Sequence, residues 1–265
     1  MTDQVHGGDT FQTSGQAYDA FMGRYSKPLA VVFADTLQLT TGLSVLDVGC
    51  GPGALTSVLT DRLGAGAVAA CDPSTPFVSE CAARCPGADV RAGRAEEIPF
   101  GDDAFDVALA QLVLHFVSDP ARAAGELRRV LRPGGKAAAC VWDFSEGMQM
   151  LRHFWDAALT VDPNAPDEAR TLRFGRPGEI ADLLDGAGFE NVTETTLAVS
   201  TTYTDYDELW NGFLAGIGPA GAYCTSLSQQ SQAAVREELF RRVGSPEATF
   251  SLRAVARCAS GVAAT

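Results

Sequence analysis

Three glycines in five residues follow a short apolar stretch in the segment VLDVGCGPG, residues 45–53. Gly49, Gly51 and Gly53 let the chain turn sharply, and they carry no side chain that would keep a ligand away from the backbone. Pro52 has its φ angle preset for the start of a helix, where its missing N–H is not needed. The segment therefore predicts a strand, a tight turn and a helix, with a ligand held against the backbone of the turn.

An acidic residue ends the next predicted strand. Asp72 closes the stretch AVAACD, residues 67–72, and a carboxylate at this position can accept hydrogen bonds from both hydroxyls of a ribose. A glycine turn followed by such an acid is typical of sites for adenosine-bearing ligands, and it does not by itself distinguish among those ligands.

Candidates for proton transfer and substrate contact follow the fourth and fifth predicted strands. His115 in LVLHF is the best candidate for a general base, because an imidazole has its ordinary pKa near neutral. The alternative for His115 is a side chain packed among apolar neighbours and bonded to the backbone. Asp143 can contact a substrate or cap a loop, and Phe116 and Trp142 can line an apolar pocket or belong to the core. These four residues are the candidate substrate-binding set.

Alternating strands and helices are predicted to position these residues. Predicted strands cover 43–49, 67–72, 88–93, the stretch from 105, and 136–142, and predicted helices cover 54–64, 75–85 and 119–135. The alternation indicates an open parallel sheet of an α/β protein. In such sheets ligands bind beyond the carboxyl ends of the strands, and Asp47, Asp72, residues 94–96, Gln111 and Asp143 are predicted to lie there.

The flanking segments are predicted to be mainly helical. Apolar residues recur at helical spacing from Ser14 to Leu39, with Pro28 as the expected break between two helices. Beyond Trp142, predicted helices cover 148–159, 176–189, 205–214 and 228–243, and predicted strands cover 191–200 and 248–259. The last two strands indicate a hairpin that carries a helical insertion. We therefore predict an N-terminal arm with lid helices at 1–39, a binding core at 40–145, and completion of the same domain at 146–265.

Composition limits the classes of partner. The chain of 265 residues carries 20 basic and 33 acidic residues, a net charge of −13, which disfavours binding to a nucleic-acid backbone. No apolar run reaches the roughly 20 residues of a membrane span, and the polar N-terminus lacks the pattern of a signal peptide. We therefore expect a cytoplasmic protein, monomeric or homodimeric, without a membrane partner. The three histidines and seven cysteines show no metal-ligand spacing, so no metal is expected.

Five motifs come in the order and spacing of the class I S-adenosylmethionine-dependent methyltransferases. They are VLDVGCGPG, CDPS at 71–74, AEEIPF at 95–100, FDVALAQLVLHFVSDP at 105–120 and LRPGGK at 131–136. The chain resembles most the small-molecule branch of that family, which includes enzymes of ubiquinone and menaquinone biosynthesis. The resemblance covers residues 40–145. It implies a Rossmann-like sheet of about seven strands, the last antiparallel, with helical lid insertions. It also implies S-adenosylmethionine as cofactor, methyl transfer to a small-molecule acceptor, and S-adenosylhomocysteine as product.

The same resemblance implies a set of cofactor-binding residues. They are Tyr18, Arg24, Asp47, Gly49, Cys50, Gly51, Gly53, Asp72, Pro73, Ala95, Glu96 and Gln111. In this assignment Asp47 and the turn border the methionine part, Asp72 binds the ribose, and Gln111 faces the methionyl amino group. Arg24 is expected to bind the methionyl carboxylate, or else to be an exposed arginine on an amphipathic helix.

One departure from the family concerns the adenine. Relatives often have aspartate where this chain has Arg94, and an arginine cannot accept a hydrogen bond from the adenine amine. Glu96 or a main-chain carbonyl is then expected to accept it.

Two other classes of function stay open on the sequence alone. A nicotinamide-dependent oxidoreductase is disfavoured, because the dinucleotide-binding pattern is G-x-G-x-x-G and this chain has G-x-G-x-G. A non-catalytic protein that binds S-adenosylmethionine has the same turn and the same Asp72. The accepting atom, whether oxygen, nitrogen or carbon, is also open, and a general base is needed only if the acceptor keeps its proton until attack.

Overall fold

Seven strands form one sheet in the order β3-β2-β1-β4-β5-β7-β6. The structure is a computed structural model that describes residues 19–264, with side chains described for 21–264. The strands are β1 (Val45–Val48), β2 (Val68–Asp72), β3 (Asp89–Ala92), β4 (Phe105–Gln111), β5 (Leu131–Trp142), β6 (Phe189–Tyr203) and β7 (Phe250–Ala263).

The first five strands run parallel, and β7 runs antiparallel to both of its neighbours. This confirms the predicted α/β sheet of about seven strands with an antiparallel last strand. From β1 the chain first builds outward through β2 and β3, and it then returns to place β4 and β5 on the other side. The carboxyl ends of β1 and β4 are thus the point where the strand order reverses, which is where open α/β sheets bind ligands.

Helices alternate with the parallel strands and fill the C-terminal part of the chain. They are α1 (Arg24–Asp35), α2 (Ala54–Leu63), α3 (Thr75–Arg84), α4 (Pro120–Val130), α5 (Gln149–Val161), α6 (Glu168–Thr171), α7 (Glu179–Gly186), α8 (Tyr206–Leu214), α9 (Gly218–Ser226) and α10 (Gln229–Arg242). Helix α1 packs against α2 and β6, and α10 packs against α5. None of the helices in the described part of the chain is long and apolar enough to cross a membrane.

The central strands are buried and almost wholly apolar. All residues of β1 and β2 are buried, as are most residues of β4, and this composition is typical of parallel strands whose two faces are both covered. Asp47 and Asp72 are the acidic exceptions in β1 and β2. Because a buried carboxyl group is unfavourable without partners, these two positions mark the sheet edge where a ligand is expected.

The predicted C-terminal hairpin with a helical insertion is confirmed. Strands β6 and β7 pair antiparallel from Phe189 opposite Ala263 to Tyr203 opposite Phe250. Between them the chain forms α8, α9 and α10. The hairpin completes the sheet through the pairing of β7 with β5.

The main local differences from the predictions are at Pro28, at the end of α4 and at α9. The break at Pro28 is wrong: a π-helical turn, Asp19–Gly23, leads into α1, and Pro28 lies inside α1. Pro28 is only the fifth residue of that helix, so its missing N–H removes a single hydrogen bond near the helix start. Helix α4 ends earlier than predicted, because Leu131 already pairs with Phe105 in the sheet. Helix α9 was not predicted, since its sequence GPAGAYCTS has little amphipathic periodicity.

Candidate active site

A cavity of about 650 Å³ lies at the carboxyl ends of β1, β2 and β4. This volume is within the range of small-molecule sites. Predicted cofactor residues in its lining are Asp47, Gly49, Cys50, Gly51, Asp72, Pro73, Ala95, Glu96 and Gln111. Gly53 precedes α2 beside the cavity without lining it, and Tyr18 lies outside the described residues. The strand order therefore brings most of the predicted set to one place.

The turn after β1 needs its glycines for two different reasons. Gly49 and Gly51 both have positive φ, 73° and 52°, which is the left-handed region that favours glycine. A Cβ at Gly49 would lie 2.4 Å from Val113 Cγ2, so packing excludes any side chain there. A Cβ at Gly51 would meet nothing within 4 Å, although Gly51 lines the cavity. The free space at Gly51 is therefore space for a ligand.

Asp72 stabilises this turn and also lines the cavity. One carboxylate oxygen accepts a hydrogen bond from the Gly51 N–H at 2.9 Å, and the other accepts from the Ser74 N–H at 2.8 Å. Burial raises the pKa of Asp72, and the two backbone N–H bonds act in the opposite direction. Each oxygen keeps a second lone pair, so the carboxylate can still accept hydrogen bonds from a ligand.

Three buried polar atoms of the cavity wall have no hydrogen-bond partner among the described residues. They are Asp47 Oδ1, Gln111 Oε1 and Ser26 Oγ. Asp47 Oδ2 accepts from the Thr56 hydroxyl at 2.6 Å, and burial raises the pKa of Asp47 to about 7. Gln111 is oriented by its Nε2, which donates to the Ser26 carbonyl at 3.0 Å. Unpaired buried acceptors are unfavourable in the free protein, and they suit a cationic or N–H-bearing group of a ligand.

The loop after β3 forms the other end of the cavity. Arg94, Ala95 and Glu96 line it together with Pro73 and Phe77. The Glu96 carboxylate accepts from the Ser118 N–H at 3.0 Å, which joins this loop to the segment before α4. The role of Glu96 toward the adenine amine stays a prediction.

Arg24 does not line this cavity. Its guanidinium forms an ion pair with Glu208 on α8 and lies 4.2 Å from the ring centroid of Tyr203. The two partners of the ion pair are 184 positions apart in the sequence, so no local pattern indicated it. Binding of the methionyl carboxylate by Arg24 stays a prediction.

A second, smaller cavity of about 40 Å³ adjoins the first and shares Leu112 and Phe116 as lining residues. His115 and Trp142 from the candidate substrate set line it too. Burial lowers the pKa of His115 to about 3. The imidazole is therefore neutral at physiological pH and is a weak base there, which makes it less suited to general-base catalysis than the sequence indicated.

Asp143 lines neither cavity. Its carboxylate pairs with Arg257 at 2.6 Å and accepts from the N–H groups of Ser145 and Glu146. These bonds fix the loop after β5 and tie it to β7. The structure thus favours the loop-capping alternative for Asp143, and substrate contact by this residue stays a prediction.

One functional candidate in the smaller cavity escaped the sequence reasoning. Glu168 lines this cavity, is 4% exposed, and accepts a hydrogen bond from Trp155 Nε1 at 2.7 Å. Burial raises the pKa of Glu168 to about 7. The sequence offered no signal for this residue, because it follows an irregular Pro- and Asp-rich loop and lies outside every motif.

A family model described as methyltransferase domain matches residues 46–139. The malonyl-[acyl-carrier protein] O-methyltransferase of Herminiimonas arsenicoxydans is 30% identical over 209 residues, 79% of this chain and 75% of the relative. The nocamycin O-methyltransferase of Saccharothrix syringae is 31% identical over 195 residues, 67% of this chain and 70% of the relative. The chain spans about half the length of others, such as an uncharacterised methyltransferase of Mycobacterium tuberculosis, 40% identical over 49% of this chain and 51% of the relative.

Solved structures share the fold at lower identity. A SAM-dependent methyltransferase from Thermotoga maritima superposes with a TM-score of 0.57 and 20% identity, over 97% of this chain and 99% of the other. The phosphoethanolamine N-methyltransferase 2 of Haemonchus contortus in complex with S-adenosyl-L-methionine gives a TM-score of 0.54 at 14% identity, over 90% and 52% of the two chains. At these identities the likeness extends to the fold alone.

Proposed function

The chain belongs to the class I S-adenosylmethionine-dependent methyltransferases, and from this we propose that it methylates an oxygen atom of a small-molecule acceptor, with S-adenosylhomocysteine as the other product. The observation that carries the proposal is the 650 Å³ cavity with its glycine turn, Asp72 and unpaired acceptor atoms on one wall. Two relatives that match over two thirds of their length have O-methyltransferase in their names, which supports oxygen as the accepting atom. The net charge of −13 favours a small molecule over nucleic acid as the acceptor. We propose that the protein is cytoplasmic and acts as a monomer or a homodimer.

The residues of the larger cavity fit S-adenosylmethionine. Asp72 and the backbone of Gly51 would hold the ribose side, while Asp47 Oδ1 and Gln111 Oε1 offer unpaired acceptors to the amino and sulfonium groups. When bound, the cofactor supplies an electrophilic sulfonium methyl group, so the protein needs no redox or metal chemistry of its own to activate it. The protein's part is to align the acceptor with that methyl group and to exclude water.

The experiment that tests the proposal combines binding with turnover. Calorimetric titration of S-adenosylhomocysteine, with NADH in parallel, establishes which ligand the cavity binds. Transfer from methyl-labelled S-adenosylmethionine to a panel of hydroxyl, carboxyl and amino compounds then identifies the accepting atom. Methylation of oxygen compounds supports the proposal, and methylation of amines only contradicts it. Tight binding of S-adenosylhomocysteine without transfer to any compound favours a non-catalytic binding protein.

Binding of S-adenosylhomocysteine is expected to strengthen about tenfold between pH 6 and pH 8. The pKa of Asp47 is about 7 in the ligand-free protein, and the ammonium group of the ligand binds the ionised carboxylate better than the neutral carboxyl. The ionised fraction rises from about a tenth to about nine tenths over this interval, so affinity increases with pH and then levels off. Asp47→Asn is expected to remove the dependence.

Calorimetry at several pH values in two buffers of different ionisation enthalpy measures both the affinity and the protons released. Asp102→Asn, which changes an exposed carboxylate in an ion pair with Arg129, is the control and should keep the wild-type pH dependence. An affinity that is the same at pH 6 and pH 8 in the wild type contradicts this role of Asp47.

A further inference from the structure

The smaller cavity has three polar side chains in its lining that are not among the proposed cofactor-binding residues. Glu168, His115 and Trp142 all line this space of about 40 Å³, which is room for a hydroxyl-sized group and little more. The other lining side chains include Phe21, Phe116, Phe144, Leu151 and Ile217. The cavity is thus apolar apart from these three side chains.

The Glu168 carboxyl group is buried without a cation of its own. Its one described hydrogen-bond donor is the neutral indole of Trp155. The nearby Arg152 is bound by Asp167 at 3.0 and 3.2 Å and by Asp156 at 2.9 Å. A purely structural carboxyl group in such a place is expected to be fully paired, because its burial is otherwise unfavourable. Glu168 instead faces a cavity.

Two residues that line the same cavity each have a ring nitrogen without a partner in the part of the chain that the structure describes. Trp142 Nε1 and His115 Nδ1 are both fully buried atoms without a hydrogen bond, and the two side chains are 1% and 9% exposed. Such atoms are rare in proteins, and each calls for an explanation. A bound ligand that hydrogen-bonds to them would satisfy both.

The combination of groups selects the chemistry of the ligand. The indole N–H of Trp142 can only donate, and an ionised Glu168 can only accept. A hydroxyl group both accepts and donates, so it can satisfy the two at once. An ammonium group has no lone pair for Trp142, and an ionised carboxylate has no proton for Glu168 and is repelled by its charge.

Building on the proposed methyl transfer, we propose that this cavity binds the hydroxyl group of an otherwise apolar acceptor and that Glu168 is the catalytic residue that takes its proton. In the step, a bond forms between the acceptor oxygen and the methyl carbon, and the bond from that carbon to sulfur breaks. The electron pair of the broken bond stays on sulfur, and the O–H proton passes to the Glu168 carboxylate. The products are a methyl ether and S-adenosylhomocysteine.

The raised pKa of Glu168 is consistent with this role. Burial raises its pKa to about 7, which is where a general base works best near neutral pH. The charged or titratable groups around it are Asp167, Arg152 and, in the lining of the same cavity, His115, which burial keeps neutral above about pH 3. The rate should therefore rise with pH through about 7, as Glu168 loses its own proton.

Phenol, benzylamine and benzoate are the probes, because near neutral pH they present a hydroxyl, an ammonium group and a carboxylate attached to a benzene ring. Binding of each to protein saturated with S-adenosylhomocysteine is measured by calorimetry, and methyl transfer is measured from pH 5.5 to pH 9. The variants are Glu168→Gln, which keeps an oxygen for Trp155, and Trp155→Phe, which removes that donor and keeps an aromatic ring. Glu238→Gln on α10, a carboxylate that pairs with Arg242 outside both cavities, is the control.

We expect phenol to bind and to be methylated in preference to the other two probes. Glu168→Gln should lower the rate by about 100-fold while phenol affinity stays within about threefold, and the rise of rate with pH should disappear. Trp155→Phe should move that rise to higher pH, because the donor that favours the ionised carboxyl group is lost. Glu238→Gln should behave as the wild type.

Three results would overturn the inference: no binding or methylation of phenol by the wild type, preference for benzoate or benzylamine, or a wild-type rate in Glu168→Gln. If the wild type and Glu168→Gln methylate the same oxygen compound at equal rates, the proposed function stands and only the role of Glu168 fails. If the wild type binds S-adenosylhomocysteine and methylates nothing, both fail together.

Discussion

Replacing Asp72 with alanine is expected to weaken the binding of S-adenosylhomocysteine about 1,000-fold. The ribose would lose two hydrogen bonds to a charged acceptor, each worth about 1.5–3 kcal/mol, and about 1.4 kcal/mol corresponds to a factor of ten in affinity. The substitution also removes the acceptor of the Gly51 and Ser74 N–H groups, so the glycine turn loses the hydrogen bonds that stabilise it. Both effects act against the bound state.

Calorimetric titration measures this change, and Asp143→Asn is the matched control. Asp143 is also a buried carboxylate at the carboxyl end of a strand and also accepts from two backbone N–H groups, yet it lines neither cavity. Its substitution weakens the pair with Arg257 and should lower the midpoint of thermal unfolding without changing affinity for the ligand. Asp72→Asn, which keeps one acceptor oxygen, distinguishes loss of binding from loss of folding. Ligand affinity within threefold of wild type in both Asp72 variants would rule out the ribose contact.

The second large effect is expected from Gly51→Ala, which should weaken the same binding about 100-fold. An alanine at φ 52° is strained by about 1–2 kcal/mol, and this strain lowers the free energy of unfolding. The Cβ meets no protein atom within 4 Å, so in the free protein the turn can accommodate it. The new methyl group would instead occupy cavity space against the backbone, where the ligand must approach, and overpacking of that kind costs about 1–3 kcal/mol.

Gly134→Ala separates these two effects. Gly134 also has positive φ, 78°, and open space at its Cβ position. It lies near the start of β5, whereas the cavity lies at the carboxyl ends of the parallel strands. Chemical denaturation should show a similar loss of stability in both variants, whereas only Gly51→Ala should lose affinity in calorimetry. Equal affinity of the two variants for S-adenosylhomocysteine would show that the turn does not contact the ligand.

The parts of the molecule that the sequence predicted well are those governed by local preferences. The glycine turn was predictable because glycine alone tolerates the positive φ angles that the turn requires. The central strands were predictable because strands buried on both faces are continuously apolar. Asp72 was noticeable at the end of such a strand, because a carboxyl group among apolar neighbours is unfavourable unless it has partners.

The errors at the boundaries of elements have tertiary causes. Helix α1 continues through Pro28, and buried residues on both sides of this proline belong to the helix that packs against α2 and β6. Strand β5 begins at Leu131 because Phe105 of β4 is available to pair with it. Helix α9 forms from a sequence with little periodicity, and packing against α8 and α5 stabilises it.

The sequence by itself determined the strand-turn-helix units, the sheet edge and the residues that follow each parallel strand, because backbone preferences and burial patterns act within a few residues. Only the tertiary structure decided that Arg24 pairs with Glu208, that Asp143 pairs with Arg257, and that Glu168 faces the same cavity as His115 and Trp142. These contacts join segments that are far apart in the chain. Such partners are chosen by the packing of the whole core, which no local pattern of residues encodes.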